Sequence, residues 1–163
     1  MKKIISLTIS LILLSFFISC TGYKPIFNPS NVNFDIADYS IEGNKKLGKQ
    51  VHSKLSNLSK LKKTSEGRQI NLLIKVVKTK SATSKSTAGK VLEYKILLNT
   101  NVIIRDYLTD KNILNFRHLA AESYKVQDQY SETIKSEKKT LDNLVNNTYE
   151  NLLIKISESL QQQ

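Results

Sequence analysis

The chain has 163 residues, 40% of them hydrophobic, and carries 25 Lys and Arg against 14 Asp and Glu for a formal net charge of +11. That length suits one hydrophobic core, so a second full domain is not expected, while the positive excess points to an anionic partner. One cysteine excludes an intramolecular disulfide, and His52 and His118 alone cannot build a cysteine–histidine metal cage.

Lys2 and Lys3 precede an unbroken run, Ile4 to Ile18, of Ile, Leu, Phe, Ser and Thr. A helix over that run rises roughly 22 Å, short of the ~30 Å hydrocarbon layer that a permanent span must cross. The pattern is that of a signal-peptide core. Its end, Phe17-Ile18-Ser19-Cys20, resembles the lipobox of bacterial lipoproteins, with Phe17 in place of the usual Leu and Ser19 as the small residue before the cut. Residues 1–19 are therefore expected to be removed and Cys20 to carry covalent lipid, which would be the protein's only prosthetic group. A triacylated cysteine anchors durably where one acyl chain does not. The competing reading is an ordinary secretory signal that leaves Cys20 as a free thiol. Thr21 stands where lipoproteins of this kind often carry an Asp as an inner-membrane retention signal, so the outer membrane is the expected address. For an exported protein the anionic partners are lipopolysaccharide phosphates, acidic lipids and cell wall, and nucleic acid is not expected.

Residues 20–31, with Gly22, Pro25 and Pro29, read as a lipidated tether, and 32–163 as a single domain. Val32 to Ile41 predicts a strand with Phe34, Ile36 and, less regularly, Tyr39 and Ile41 as its apolar positions. Gly43-Asn44 stops it. Leu47, Val51, Leu55 and Leu58 predict a helix from Lys45 to Leu61, which Gly48 weakens. After a turn at Thr64 to Gly67, Ile70, Leu72, Ile74 and Val76 line one face of a strand from Gln69 to Lys78.

Val91 to Arg105 predicts a long strand with Leu92, Tyr94, Ile96, Leu98, Thr100, Val102 and Ile104 on one side. Glu93, Lys95, Asn99, Asn101 and Arg105 lie on the other, so one face is covered and one is wet. Thr109-Asp110-Lys111-Asn112 turns the chain into a strand from Ile113 to about Val126. Ile134, Leu141, Val145, Thr148, Leu152, Ile156 and Leu160 predict a terminal helix from about Tyr130, with Ser131 as N-cap and a break at Lys135 to Lys139 left open. The expected fold is α+β: a two-layer sandwich of a four-stranded, mostly antiparallel sheet with two helices on one face, in the order β-α-β-β-β-α.

Lys78 to Lys90 reads as a connection with four lysines, Lys78, Lys80, Lys85 and Lys90, no acid, and interleaved hydroxyls. These suit charge-assisted bonds to phosphate, and the plain alternative is a solvated loop. Gly89-Lys90 fails as a nucleotide phosphate loop, because Val91 follows where Ser or Thr is needed and Ser84 replaces the earlier glycine. Lys75, Lys95, Arg105 and Arg117 extend a candidate basic strip across the strands, although lysine on a polar sheet face also serves simply to discourage edge pairing. No catalytic motif and no metal-ligand spacing occurs, and enzymatic activity is not expected.

Cys20-Thr21-Gly22-Tyr23-Lys24-Pro25-Ile26-Phe27 is similar to the Cys-Gly-Phe/Tyr-Arg-Pro-Leu-Tyr opening of the lipopolysaccharide-assembly lipoprotein family, LptE, with Thr21 inserted. Leu119-Ala120-Ala121-Glu122-Ser123-Tyr124, a strand before a long terminal helix, also resembles that family, in particular its short alphaproteobacterial branch. The resemblance implies two helices on a four-stranded sheet. It further implies a plug in the lumen of the outer-membrane β-barrel LptD and contact with lipopolysaccharide on its way to the surface. Only Cys20 transfers as a matched residue. A second reading is a structural or auxiliary lipoprotein of another envelope lipid transporter or of a cell-wall contact.

Overall fold

The computed structural model describes residues 34–61 and 67–161. The signal segment, Cys20, the tether, the expected strand start at Val32, and residues 62–66 with most of the expected Thr64 to Gly67 turn all lie outside them. Six elements follow in order: β1 (Phe34–Gly43), α1 (Lys45–Leu61), β2 (Arg68–Lys85), β3 (Val91–Asp106), β4 (Asn112–Lys125) and α2 (Tyr130–Gln161). The fold is the α+β arrangement that the periodicities predict.

The strands lie side by side in chain order. β1 runs parallel to β2, with α1 as the crossover between them, and β2, β3 and β4 form an antiparallel meander. β1 is irregular in sequence because its register shifts between Ile36 and Asp38. The extra residue brings Tyr39 and Ile41 back to the side of Phe34 and Ile36, as a β-bulge does.

One face of the sheet carries both helices. Ile70, Leu72, Ile74 and Val76 of β2 meet Ile96, Leu98, Val102 and Ile104 of β3 and Phe116 and Ala120 of β4 in a single core, closed by Leu47, Val51 and Leu55 of α1 and Leu144, Val145, Leu152 and Ile156 of α2. Asn44 caps α1: its Oδ1 accepts the Leu47 N–H at 3.1 Å. Gly48, which helix propensity alone would replace with alanine, faces Ile41, and a Cβ there would collide with Ile41 Cγ2. Close packing of α1 on β1 is thus the reason for a glycine inside this helix.

Two expectations change in α2, and one question left open is answered. The helix runs through Lys135 to Lys139 without a break. It starts one residue before Ser131, so Ser131 sits in the first turn. There Thr133 folds back, accepting the Gln127 N–H at 2.9 Å. The buried stripe opens with Thr133 and Thr140, whereas Ile134 is 45% exposed. Early α2 lies over the polar ends of β2 and β4, so its inward side is made of hydroxyls and one carboxylate.

The β3–β4 turn is closed by Asp106, whose carboxylate accepts from Arg68 Nε at 2.8 Å, the Thr109 N–H at 2.9 Å and the Thr109 hydroxyl at 2.9 Å. The Arg68 bond first, then those from Thr109, hold its carboxyl down at about 2.

Candidate functional site

The stretch from Lys78 to Lys90 is not a loop. β2 continues to Lys85, and only Ser86 to Lys90 turns, with the Gly89 N–H on the Ser86 carbonyl at 2.9 Å and Gly89 at φ +80°. Its hydroxyls and lysines hide the strand, because no apolar core underlies this part of β2 to impose alternation. The ladder to β3 holds it instead, pairing Lys78 with Leu98 and Lys80 with Ile96.

Those pairings place Lys78 and Lys80 on the helix side, where the first turns of α2 meet them. Glu137 Oε2 lies 2.6 Å from Lys80 Nζ and accepts the Tyr124 hydroxyl at 2.9 Å, while Oε1 is 3.4 Å from Lys78 Nζ. Lys80 Nζ also stands 4.3 Å from the centre of the Tyr94 ring and 5.4 Å from that of Tyr124, within cation–π range. Burial works against ionisation of Glu137, but the bonds from Lys80 and Tyr124 and the positive charge of Lys80 outweigh it and hold the carboxyl below its ordinary range. Burial likewise opposes the charge on Lys80, yet its bonds to Glu137 and Tyr124 raise its pKa overall. Two of the four lysines therefore already share one anion, and that acid lies 57 residues beyond Lys80 along the chain.

Because the folded-state pKa of Glu137 is depressed, its contribution to stability is present above the unfolded value of about 4.3 and is lost as the pH falls through the native value. Glu137→Gln is expected to cost about 1–2 kcal/mol at pH 7. The difference from the parent should vanish at low pH, where both side chains are neutral. Urea unfolding midpoints across a pH series check this, and a gap that does not narrow at all as the pH falls would show that packing rather than charge explains the loss.

Lys75, Lys95, Arg105 and Arg117 stand on the opposite, helix-free face, with Lys75, Asn101 and Arg117 in one cross-strand row and Lys95 between Ser81 and Ser123. Lys75 pairs with Glu42 at 3.2 Å and Arg105 with Asp110 at 3.4 Å. This face is not uniformly polar, as alternation in β3 suggested. Val77 and Leu119 flank Asn99 in one row, Leu97 and Ala121 stand in the next, and Leu73 opposite Ile103 forms a third apolar pair. Val77 is 48% and Leu119 64% exposed. The signal for these residues is in the sequence as apolar doublets, Leu72-Leu73, Val76-Val77, Leu97-Leu98 and Ile103-Ile104, which place one member on each face of a strand. Beside Leu73 and Ile103 lies a depression of ≈ 250 Å³, lined also by Asp38, Ser40, Asn71 and Arg105.

The eight basic candidates thus divide into three places: Lys78 and Lys80 bound to Glu137, Lys85 and Lys90 beside the hairpin turn, and Lys75, Lys95, Arg105 and Arg117 around exposed apolar side chains. His52 stacks on Tyr39 with ring centres 3.8 Å apart, and burial first, then Lys60, lowers its pKa. His118 Nε2 donates to Asn147 Oδ1 at 2.9 Å. Both histidines fasten helices to the sheet. Among the described residues no three His, Asp or Glu side chains converge as a metal site would need, and no helix is long and apolar enough to cross a membrane.

No protein-family model and no curated protein matches the chain. Solved structures do. The chain is similar to a Caulobacter crescentus protein described as a candidate lipoprotein, at 11% identity and a TM-score of 0.60 over 82% of this chain and 93% of that one. It is similar to lipoprotein B of Nitrosomonas europaea, at 14% identity and 0.55 over 84% and 91%. A minor lipoprotein of Acinetobacter baumannii matches at 15% identity and 0.52 over 77% and 93%. At these identities the likeness is one of fold, and the two-layer β-α-β-β-β-α sandwich is an architecture that this chain shares with all three.

Proposed function

We propose that this chain is a bacterial envelope lipoprotein, anchored to the outer membrane through Cys20, that works in lipopolysaccharide transport and assembly beside a β-barrel of the LptD type. The observation that carries the reading is the helix-free sheet face, where Leu73, Val77, Leu97, Ile103 and Leu119 are flanked by Lys75, Lys95, Arg105 and Arg117. Lipopolysaccharide offers the complement, acyl chains beside phosphates. The apolar rows favour contact with lipid over a purely water-lined lumen, whose wall is polar. The lipoprotein descriptions of the three similar structures and the lipobox-like end of the apolar leader support the anchor.

Affinity capture of this protein from solubilised outer membranes is expected to bring down a large β-barrel, whose assembly should also fail when this protein is depleted. Lys95→Gln with Arg117→Gln should weaken lipopolysaccharide binding several-fold and flatten its salt dependence, since exposed charges are screened beyond ~10 Å at 0.1 M salt. Capture without a barrel, together with binding by the double variant equal to that of the parent across a salt series, would overturn the reading.

A further inference from the structure

The two outer edges of the sheet are treated differently. β1 carries the devices that discourage pairing, a bulge between Ile36 and Asp38 and the acids Asp35, Asp38 and Glu42. β4 is less guarded: its register shift lies at its very start, between Asn112 and Leu114, and its one acid, Glu122, lies towards its far end. It contains no proline, and its register with β3 runs unbroken from Leu114 to Lys125. Among the described residues no strand pairs with its outer side, so a row of backbone N–H and C=O groups is left free there.

Along that edge the C-terminal half of α2 stands over β4 and leaves a groove of ≈ 300 Å³. Leu114, Phe116 and Ile154 supply its apolar walls and Asn115, His118, Asn151 and Lys155 its polar ones, with no carboxylate in the lining, while Arg117, on the helix-free side by its register with Asn101, borders the same edge from the other face. Lys155 is shared with Glu158 at 2.8 Å, and His118 is held by Asn147, whereas Arg117 has no ion pair among the described residues. An edge strand beside a helix is a geometry that takes an extended peptide as an added strand: the backbone supplies affinity, and alternate side chains enter the groove. A second copy fits poorly, because α2 stands over β4 and would meet its own image at the ~5 Å spacing of paired strands, where helix axes need 8–10 Å.

We propose that β4 and the C-terminal half of α2 form a docking site for an extended segment of a partner protein in which carboxylates alternate with apolar side chains. This inference does not depend on the lipid-binding role of the sheet face.

The test uses the full-length chain in detergent micelles and a short synthetic peptide alternating valine and glutamate. The peptide is expected to bind with a Kd on the order of 10–100 μM and to slow amide exchange within residues 113–119. N-methylation of alternate peptide residues, which removes the edge hydrogen bonds, should weaken binding at least ~10-fold, and so should Ile154→Glu, whose carboxylate repels the peptide. Replacing glutamate by lysine in the peptide should also weaken it. Equal binding by the N-methylated peptide would overturn the proposal. So would protection, in the free chain, of those β4 amides that do not bond to β3, which would mean that its own N-terminal residues or a second copy already occupy the edge.

Discussion

Gly43→Ala is expected to destabilise the domain by about 3–4 kcal/mol. Gly43 ends β1 at φ +73°, a left-handed conformation that costs an alanine roughly 1–2 kcal/mol. The added Cβ would also strike the carbonyl oxygen of Val76, which accepts the Asn44 N–H at 2.7 Å. Val76 cannot yield easily, because β2 is paired on both sides, with β1 through Gly43 and with β3 through Thr100. Overpacking against fixed backbone adds about 1–3 kcal/mol. Urea unfolding of the variant checks the sum, and a loss below about 1 kcal/mol would mean that the β1–α1 junction can open without harm to the core.

Leu97→Glu combined with Leu119→Glu is expected to lower lipopolysaccharide binding on the order of 100-fold while leaving the fold intact. Burying a leucine stabilises a complex by about 1.5–3 kcal/mol, and a glutamate in its place would face acyl chains and phosphate with an unpaired charge. Neither leucine belongs to the core between sheet and helices, so circular dichroism and the thermal transition should stay close to those of the parent. The effect should exceed that of Lys85→Gln with Lys90→Gln, since those lysines stand at the hairpin turn, away from the apolar rows. Unchanged binding by a folded Leu97/Leu119 double variant would remove the sheet face from the proposed function.

Much of the architecture is legible in periodicity. The four-and-three spacing of Leu47, Val51, Leu55 and Leu58 and the every-second-residue recurrence of Ile96, Leu98, Val102 and Ile104 each report one buried face, and one buried face per element is enough to require two layers. The extent of β2 is not legible, because from Thr79 to Lys85 the strand contains no large apolar side chain, and only pairing with β3 reveals it. The same applies to Ser131 and Ile134, whose types suggest a cap and a core position although the helix rests there on polar side chains.

The candidate site divides in the same way. Charge and hydroxyl content mark Lys78, Lys80, Lys85 and Lys90 as one group. Register then sends Lys78 and Lys80 to the helix side, where Glu137 meets them, and Lys75, Lys95, Arg105 and Arg117 to the other side. By itself the sequence determined the order of elements, the covered face of each long strand and the positive excess, because these follow from local spacing and composition. Which lysines are paired with an acid, which apolar residues remain in water and which sheet edge is less guarded were decided only by the tertiary structure. Each depends on partners brought together across the sheet by strand register and helix placement, and short-range pattern carries no record of those distances.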